Sequence, residues 1–180
     1  DVTIYAGGDF TEIGGEERYK IARLDAVGED DGTGRATSWD VGAGNTVYVL
    51  NAVDESGDEY LYASGAFTTT NGVPRNNLAA LDVDSLSLTY GEALDWNPSA
   101  NGPVYALVMD SAYANVFIGG AFTAVCNISA FNVAALDPLD DSNVFWASSS
   151  ADDIVYTLAL KPDDSLLYAG GDFTDINGAA

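Results

Sequence analysis

Carboxylates are the most abundant reactive side chains in this chain of 180 residues: 28 Asp and Glu stand against 6 Lys and Arg, with no histidine. Two converging carboxyls of different pKa would supply the acid and the nucleophile of a glycosidase. Most of the acids, however, fall in polar turn segments. Asp25, Asp82 and Asp137 recur at one position of a repeat, which suits the capping of a turn in each copy and not a single catalytic event. No catalytic residue is assigned. Glu29-Asp30-Asp31, the acids of Asp54 to Glu59, and Asp140-Asp141 offer the hard oxygens that calcium takes. None has the D-x-D-x-D-G spacing of a calcium loop, and solvated acidic loops account for them. The chain is therefore read as having no metal ligand and no cofactor, with calcium in these loops as the alternative. Without histidine, and with the single cysteine Cys126, the usual general base, the commonest transition-metal ligand and any internal disulfide are missing together. Cys126 reads either as a small apolar residue or as a thiol paired with sequence outside this stretch. Asn127-Ile128-Ser129 is the one N-x-S/T sequon, because Asn97 is followed by Pro98; it falls in a variable turn and makes Asn127 the candidate N-glycosylation residue.

The formal charge of −22 repels phosphate backbones and anionic lipid alike, so nucleic acid is excluded as the expected partner. It also suits a saline environment, where negative charge maintains hydration. Apolar residues make up 47% of the chain, enough for a core at this length, and no apolar run reaches the roughly 18 residues of a membrane span.

The elements that position these residues repeat. Gly7-Gly8-Asp9-Phe10, Ser64-Gly65-Ala66-Phe67, Gly119-Gly120-Ala121-Phe122 and Gly170-Gly171-Asp172-Phe173 are each followed by Thr, and their phenylalanines are 57, 55 and 51 residues apart. Such periods fit one propeller blade. The interval from Phe to the recurring Asp (Asp25, Asp82, Asp137) is 15 residues in all three copies. Trp39 and Trp96 each follow 14 residues later, and Trp146 follows after 9. A Val-Tyr pair comes next, at Val47-Tyr48, Val104-Tyr105 and Val155-Tyr156.

Each unit reads as four short strands. Val-Tyr-x-Leu is the first. After a polar turn, the second runs through Leu61-Tyr62-Ala63, Val116-Phe117-Ile118 or Leu166 to Ala169 into the glycines. The third is centred on Ile21 to Leu24, Leu78 to Leu81 and Val133 to Leu136, and a fourth ends near each Trp. No segment has the period of an amphipathic helix. The glycines are not a phosphate cradle: that motif opens a helix, usually once per domain and often with a Lys, whereas this one occurs four times, carries no Lys and is followed by Thr. Gly permits close backbone approach while Phe fills the space between blades. The tryptophans, at one repeat position, read as inter-blade core, with stacking on a sugar as the alternative.

Leu61 to Thr68, Asn71-Gly72, Arg75 to Asp82, Trp96-Asn97-Pro98 and Asn101 to Leu107 resemble the Gly-Gly-x-Phe β-propeller repeats of bacterial delta-sixty-repeat proteins and fungal cortical-marker-like proteins. The resemblance covers essentially the whole chain. It implies an all-β fold, a β-propeller of four-stranded antiparallel blades, in a secreted or cell-surface protein, and it implies no catalytic residues. Two departures stand out: Val125-Cys126-Asn127-Ile128 replaces the Gly-containing turn of the third copy, and Arg18-Tyr19-Lys20 replaces the Asn pair in the first. Both bear on local turn contacts and leave the fold intact.

About three and a half blades are expected, with parts at residues 1–44, 45–101, 102–150 and 151–180. The half blades at either end predict a segment of a longer chain, or completion by another copy. The function expected is a non-catalytic extracellular or cell-surface interaction module. Its partners would be proteins or further copies of itself, without membrane insertion of this segment. The rival is a carbohydrate-binding or carbohydrate-active propeller whose site is completed outside this segment.

Overall fold

The computed structural model describes residues 3–25, 34–55, 57–146 and 150–177. Within them the chain is all strand and turn, in four successive units. The first holds β1 (Ile4–Gly7), β2 (Glu12–Ile13), β3 (Glu16–Glu17) and β4 (Ile21–Leu24). The second holds β5 (Val47–Glu55), β6 (Asp58–Gly65), β7 (Thr69–Thr70), β8 (Val73–Pro74) and β9 (Leu78–Asp82). The third repeats that set as β10 (Val104–Met109), β11 (Val116–Gly120), β12 (Ala124–Val125), β13 (Ile128–Ser129) and β14 (Val133–Leu136). The fourth holds β15 (Val155–Leu160) and β16 (Leu167–Gly171). The main sheets are antiparallel, ordered β5-β6-β9 and β10-β11-β14, with two-stranded sheets β1-β4 and β15-β16.

The fourth strand expected near each Trp is reduced to one bridged residue at the sheet edge, at Leu24↔Ala36, Leu81↔Ala93 and Leu136↔Val144. Beyond that bridge each Trp packs against an aromatic ring of its own unit's sheet. Trp39 meets Tyr5 edge-on at 5.4 Å, Trp96 meets Tyr62 edge-on at 5.2 Å, and Trp146 lies tilted on Phe117 at 5.1 Å. The indole N–H of Trp96 donates to the Asp137 carbonyl of the next unit at 2.9 Å. Trp39 and Trp96 are buried, as core tryptophans should be, whereas Trp146 is 37% exposed.

Apolar burial is layered between consecutive units. Ile21, Trp39, Val47, Leu61 and Phe67 pack the first interface. Leu78, Trp96, Val104, Ile118 and Phe122 pack the second, and Ala106, Val133, Val155 and Leu158 the third. Each unit thus completes its core only against a neighbour, the economy of repeat architectures.

The short hairpins β2–β3, β7–β8 and β12–β13 were legible in sequence only as turns. Their two-residue links are Gly14-Gly15, Asn71-Gly72 and Cys126-Asn127, with φ of 62° and 79°, 47° and 72°, and 54° and 60°. Positive φ at both positions is the requirement of a type I′ hairpin turn, which Gly and Asn meet and Cys does not favour. The departure at Cys126 therefore keeps the turn and carries its conformational cost.

Candidate functional site

The Gly-Gly-x-Phe loop is a hub of backbone bonds. Gly65 N–H donates to the Asn77 carbonyl at 3.0 Å, and Asn77 N–H donates to the Phe67 carbonyl at 2.8 Å. The same pair recurs at Gly120 and Asn132 around Phe122, and at Gly8 and Lys20 around Phe10. The residue at the centre is left-handed each time, with φ of 70° at Lys20, 64° at Asn77 and 62° at Asn132. Asn suits that region, and the Asn side chains also donate to the segments that lead into β10 and β15, Asn77 to the Ala100 carbonyl at 2.8 Å and Asn132 to the Ala151 carbonyl at 2.9 Å. Lys20 takes a different partner. Its ammonium pairs instead with Asp9 at 2.7 Å, holding that carboxyl below its ordinary pKa.

In two of the four copies the Thr after the Phe has a use as well. Asn101 Oδ1 accepts from Thr123 N–H at 2.8 Å and Ala124 N–H at 3.0 Å, and its amide donates to the Thr123 hydroxyl. Asp152 repeats this with Thr174 N–H at 2.8 Å, Asp175 N–H at 3.0 Å and the Thr174 hydroxyl at 2.7 Å. These bonds clamp the segment that enters β10 to the loop after β11, and the segment that enters β15 to the loop after β16. The Thr174 hydroxyl, then the Asp175 and Thr174 amides, hold the Asp152 carboxyl below the usual range.

The second glycine lets two backbones touch. A Cβ on Gly65 would collide with the Thr46 carbonyl, one on Gly120 with that of Pro103, and one on Gly171 with that of Ile154. This crowding meets a regular irregularity in the facing strand. Val47 pairs with Gly65 but Val49 pairs with Ser64, so Tyr48 is an extra residue without a cross-strand partner. Tyr105 and Tyr156 are extra in the same way, between Val104 and Ala106 and between Val155 and Thr157. A β-bulge re-aims the side chain it carries. Here three bulges bring tyrosines of three units into one row, with ring centroids 5.2 Å apart for Tyr48 and Tyr105 and 5.5 Å apart for Tyr105 and Tyr156. Tyr48 is 46% exposed and Tyr156 47%. The Tyr156 hydroxyl donates to the Asp172 carboxylate at 3.0 Å, and this bond and the surrounding charge raise its pKa.

Clefts of mixed polar and apolar lining recur between units. One of about 400 Å³ is lined by Tyr19, Gly42, Thr69 and Asn71, and its counterpart of about 370 Å³ by Asn76, Ser99, Asn101 and Asn127.

The residues singled out in sequence are dispersed. Asn127 is exposed at the tip of the β12–β13 hairpin, where a glycan has room. Cys126 beside it is a half-buried free thiol, pushed up to about 11 by burial and then by Asp141 and Asp140, so it is protonated and unreactive at neutral pH. Asp82 accepts from Asp84 N–H and from the hydroxyls of Ser87 and Thr89. Asp137 accepts from Leu139 and Asp140 N–H and from the Asn143 amide. Both cap the turn that follows the third strand; Asp25 holds the same position, and the Glu29-Asp30-Asp31 run after it lies outside the described residues. Asp54 accepts from Gly57 N–H and Asp140 from Ser142, which ties these acids into their own loops. Among the described residues no three His, Cys, Asp or Glu side chains gather where they would hold a metal ion.

The tyrosine row was missed in sequence. The Val-Tyr pair carried the signal, but simple alternation sends Tyr to the face opposite Val, and only the bulge gathers the three rings. Residues 3–31 match the model of a family described as a domain of unknown function (DUF5122) beta-propeller. No curated protein matches the chain.

Proposed function

We propose that this chain is a non-catalytic interaction module of an extracellular or cell-surface protein, in which rigid repeat units hold the tyrosine row as a contact face. The units at 1–44, 45–101, 102–150 and 151–180 are read as about three and a half blades of a β-propeller in the manner of the Gly-Gly-x-Phe repeat proteins. The match at residues 3–31 supports the propeller reading. The observation that carries the function is the threefold recurrence of one bulge, which places Tyr48, Tyr105 and Tyr156 side by side with the outer two half-exposed. Stability does not require large aromatic rings at a solvent-facing position, and bulges are frequent where a side chain is aimed at a ligand. The partners proposed are proteins, further copies of this chain included. Asn127 would carry an N-glycan clear of the row.

A carbohydrate-binding role is the second reading, favoured by the same exposed rings and by Trp146. Arrays of immobilised peptides and polysaccharides, read for retention and for product release, test the proposal. Saturable retention without turnover is expected. Turnover of a retained glycan would overturn it.

A further inference from the structure

The chemistry around the tyrosine row names a class of partner. We propose that Tyr48, Tyr105 and Tyr156, with Asp172 beside Tyr156, form a docking surface for an arginine-bearing basic segment of a partner protein. This rests on the interaction-module reading and supplies its ligand chemistry.

Three features converge. First, the row presents aromatic area to water at both ends, and ring faces attract cations, guanidinium above all because it is planar and stacks. Second, an acceptor stands where a stacked guanidinium could use it: Asp172 takes one hydrogen bond from the Tyr156 hydroxyl at 3.0 Å, and a carboxylate has capacity for more. Asp153 adds charge at the same end. The equivalent loop acid Asp9 is already paired with Lys20, so the row has a polarity, with its open carboxylate at the Tyr156 end. Third, the chain carries a formal charge of −22, which steers cationic ligands and gives a neutral glycan no advantage. Arg is favoured over Lys because one planar group can stack on the ring and fork onto the carboxylate at once.

The test is a titration of the intact chain with a blocked peptide holding two arginines, at about 0.15 M salt, where long-range charge is largely screened. Saturable binding is expected, and Tyr156→Ser, which leaves the charge unchanged, should raise Kd by about tenfold. Asp172→Asn should weaken binding comparably. Tyr156→Phe keeps the ring and should stay within about twofold of wild type, and Tyr168→Ser, an exposed tyrosine outside the row, should do the same. Folding of each variant is checked by its thermal midpoint, and if the Ser variant does not fold, Asp172→Asn carries the test, with binding equal to wild type overturning the proposal. Equal binding by wild type and Tyr156→Ser, or by a lysine peptide of the same charge, would overturn the proposal, since net charge alone would then explain retention. Tyrosine-dependent binding of a neutral oligosaccharide in place of the peptide would overturn it too, while leaving an interaction module standing. Failure of the folded protein to bind the peptide overturns the arginine inference alone; the broader reading falls only with the arrays above.

Discussion

Gly120→Ala is the sharpest perturbation of the repeat. The added Cβ would fall against the Pro103 carbonyl oxygen, 3.0 Å from Val104 Cα and 3.0 Å from Phe122 Cδ1. The Pro103 carbonyl also accepts from Ala121 N–H at 2.9 Å, so it cannot retreat without loosening that bond. Overpacking a tight site costs about 1–3 kcal/mol, and a weakened hydrogen bond adds about 1 kcal/mol. A total of about 3 kcal/mol follows, which for a chain of this size lowers Tm by roughly 6–12 °C. Gly8→Ala is the internal control. Its Cβ would meet only the Phe10 ring among the described residues, at 3.2 Å, and a ring edge can give way. That variant should lose less than about 1 kcal/mol. Differential scanning calorimetry and urea titration of both variants read the difference. Equal losses at the two glycines, or a Gly120→Ala midpoint within about 2 °C of wild type, would refute close backbone approach as the reason for the glycine.

Cys126→Asn should raise stability by about 1 kcal/mol in chemical denaturation, because φ of 54° suits Asn better than Cys and Asn71 already serves at the equivalent turn. Phe67→Ala should cost about 3–5 kcal/mol by the same measure, since the ring is fully buried in the first interface. Asp152→Asn tests the clamp through pH. The folded carboxyl lies below its ordinary value, so its contribution is complete above about pH 4 and fades as pH falls through the lowered value. Wild type should therefore lose more stability than Asp152→Asn as acid titrations of the urea midpoint pass below about pH 4, and parallel curves there would contradict the clamp.

The strand order of each unit was legible because Val-Tyr-x-Leu, the glycine pair and the Ala-Leu-Asp segment keep their spacing, and spacing survives where identity drifts. The structural role of the phenylalanines and of Asp82 and Asp137 followed from recurrence alone. What spacing cannot show is backbone hand. The left-handed residue at Lys20, Asn77 and Asn132 is written in Asn twice and hidden by Lys once, where Asp9 supplies a different anchor. Nor does alternation of apolar residues betray a bulge, since the extra residue is revealed only by the register of the strand opposite. The exposure of Trp146 escaped for a related reason, because burial depends on what packs beyond the ring as well as on its repeat position.

The measurement closest to the central claim is NMR of the chain with labelled tyrosine rings, followed while a ligand retained on the arrays is titrated in. The ring signals of Tyr48, Tyr105 and Tyr156 are expected to shift together, with Tyr168 unmoved and the ligand recovered intact. Shifts confined to residues outside the row, or release of a cleaved ligand, would contradict that claim.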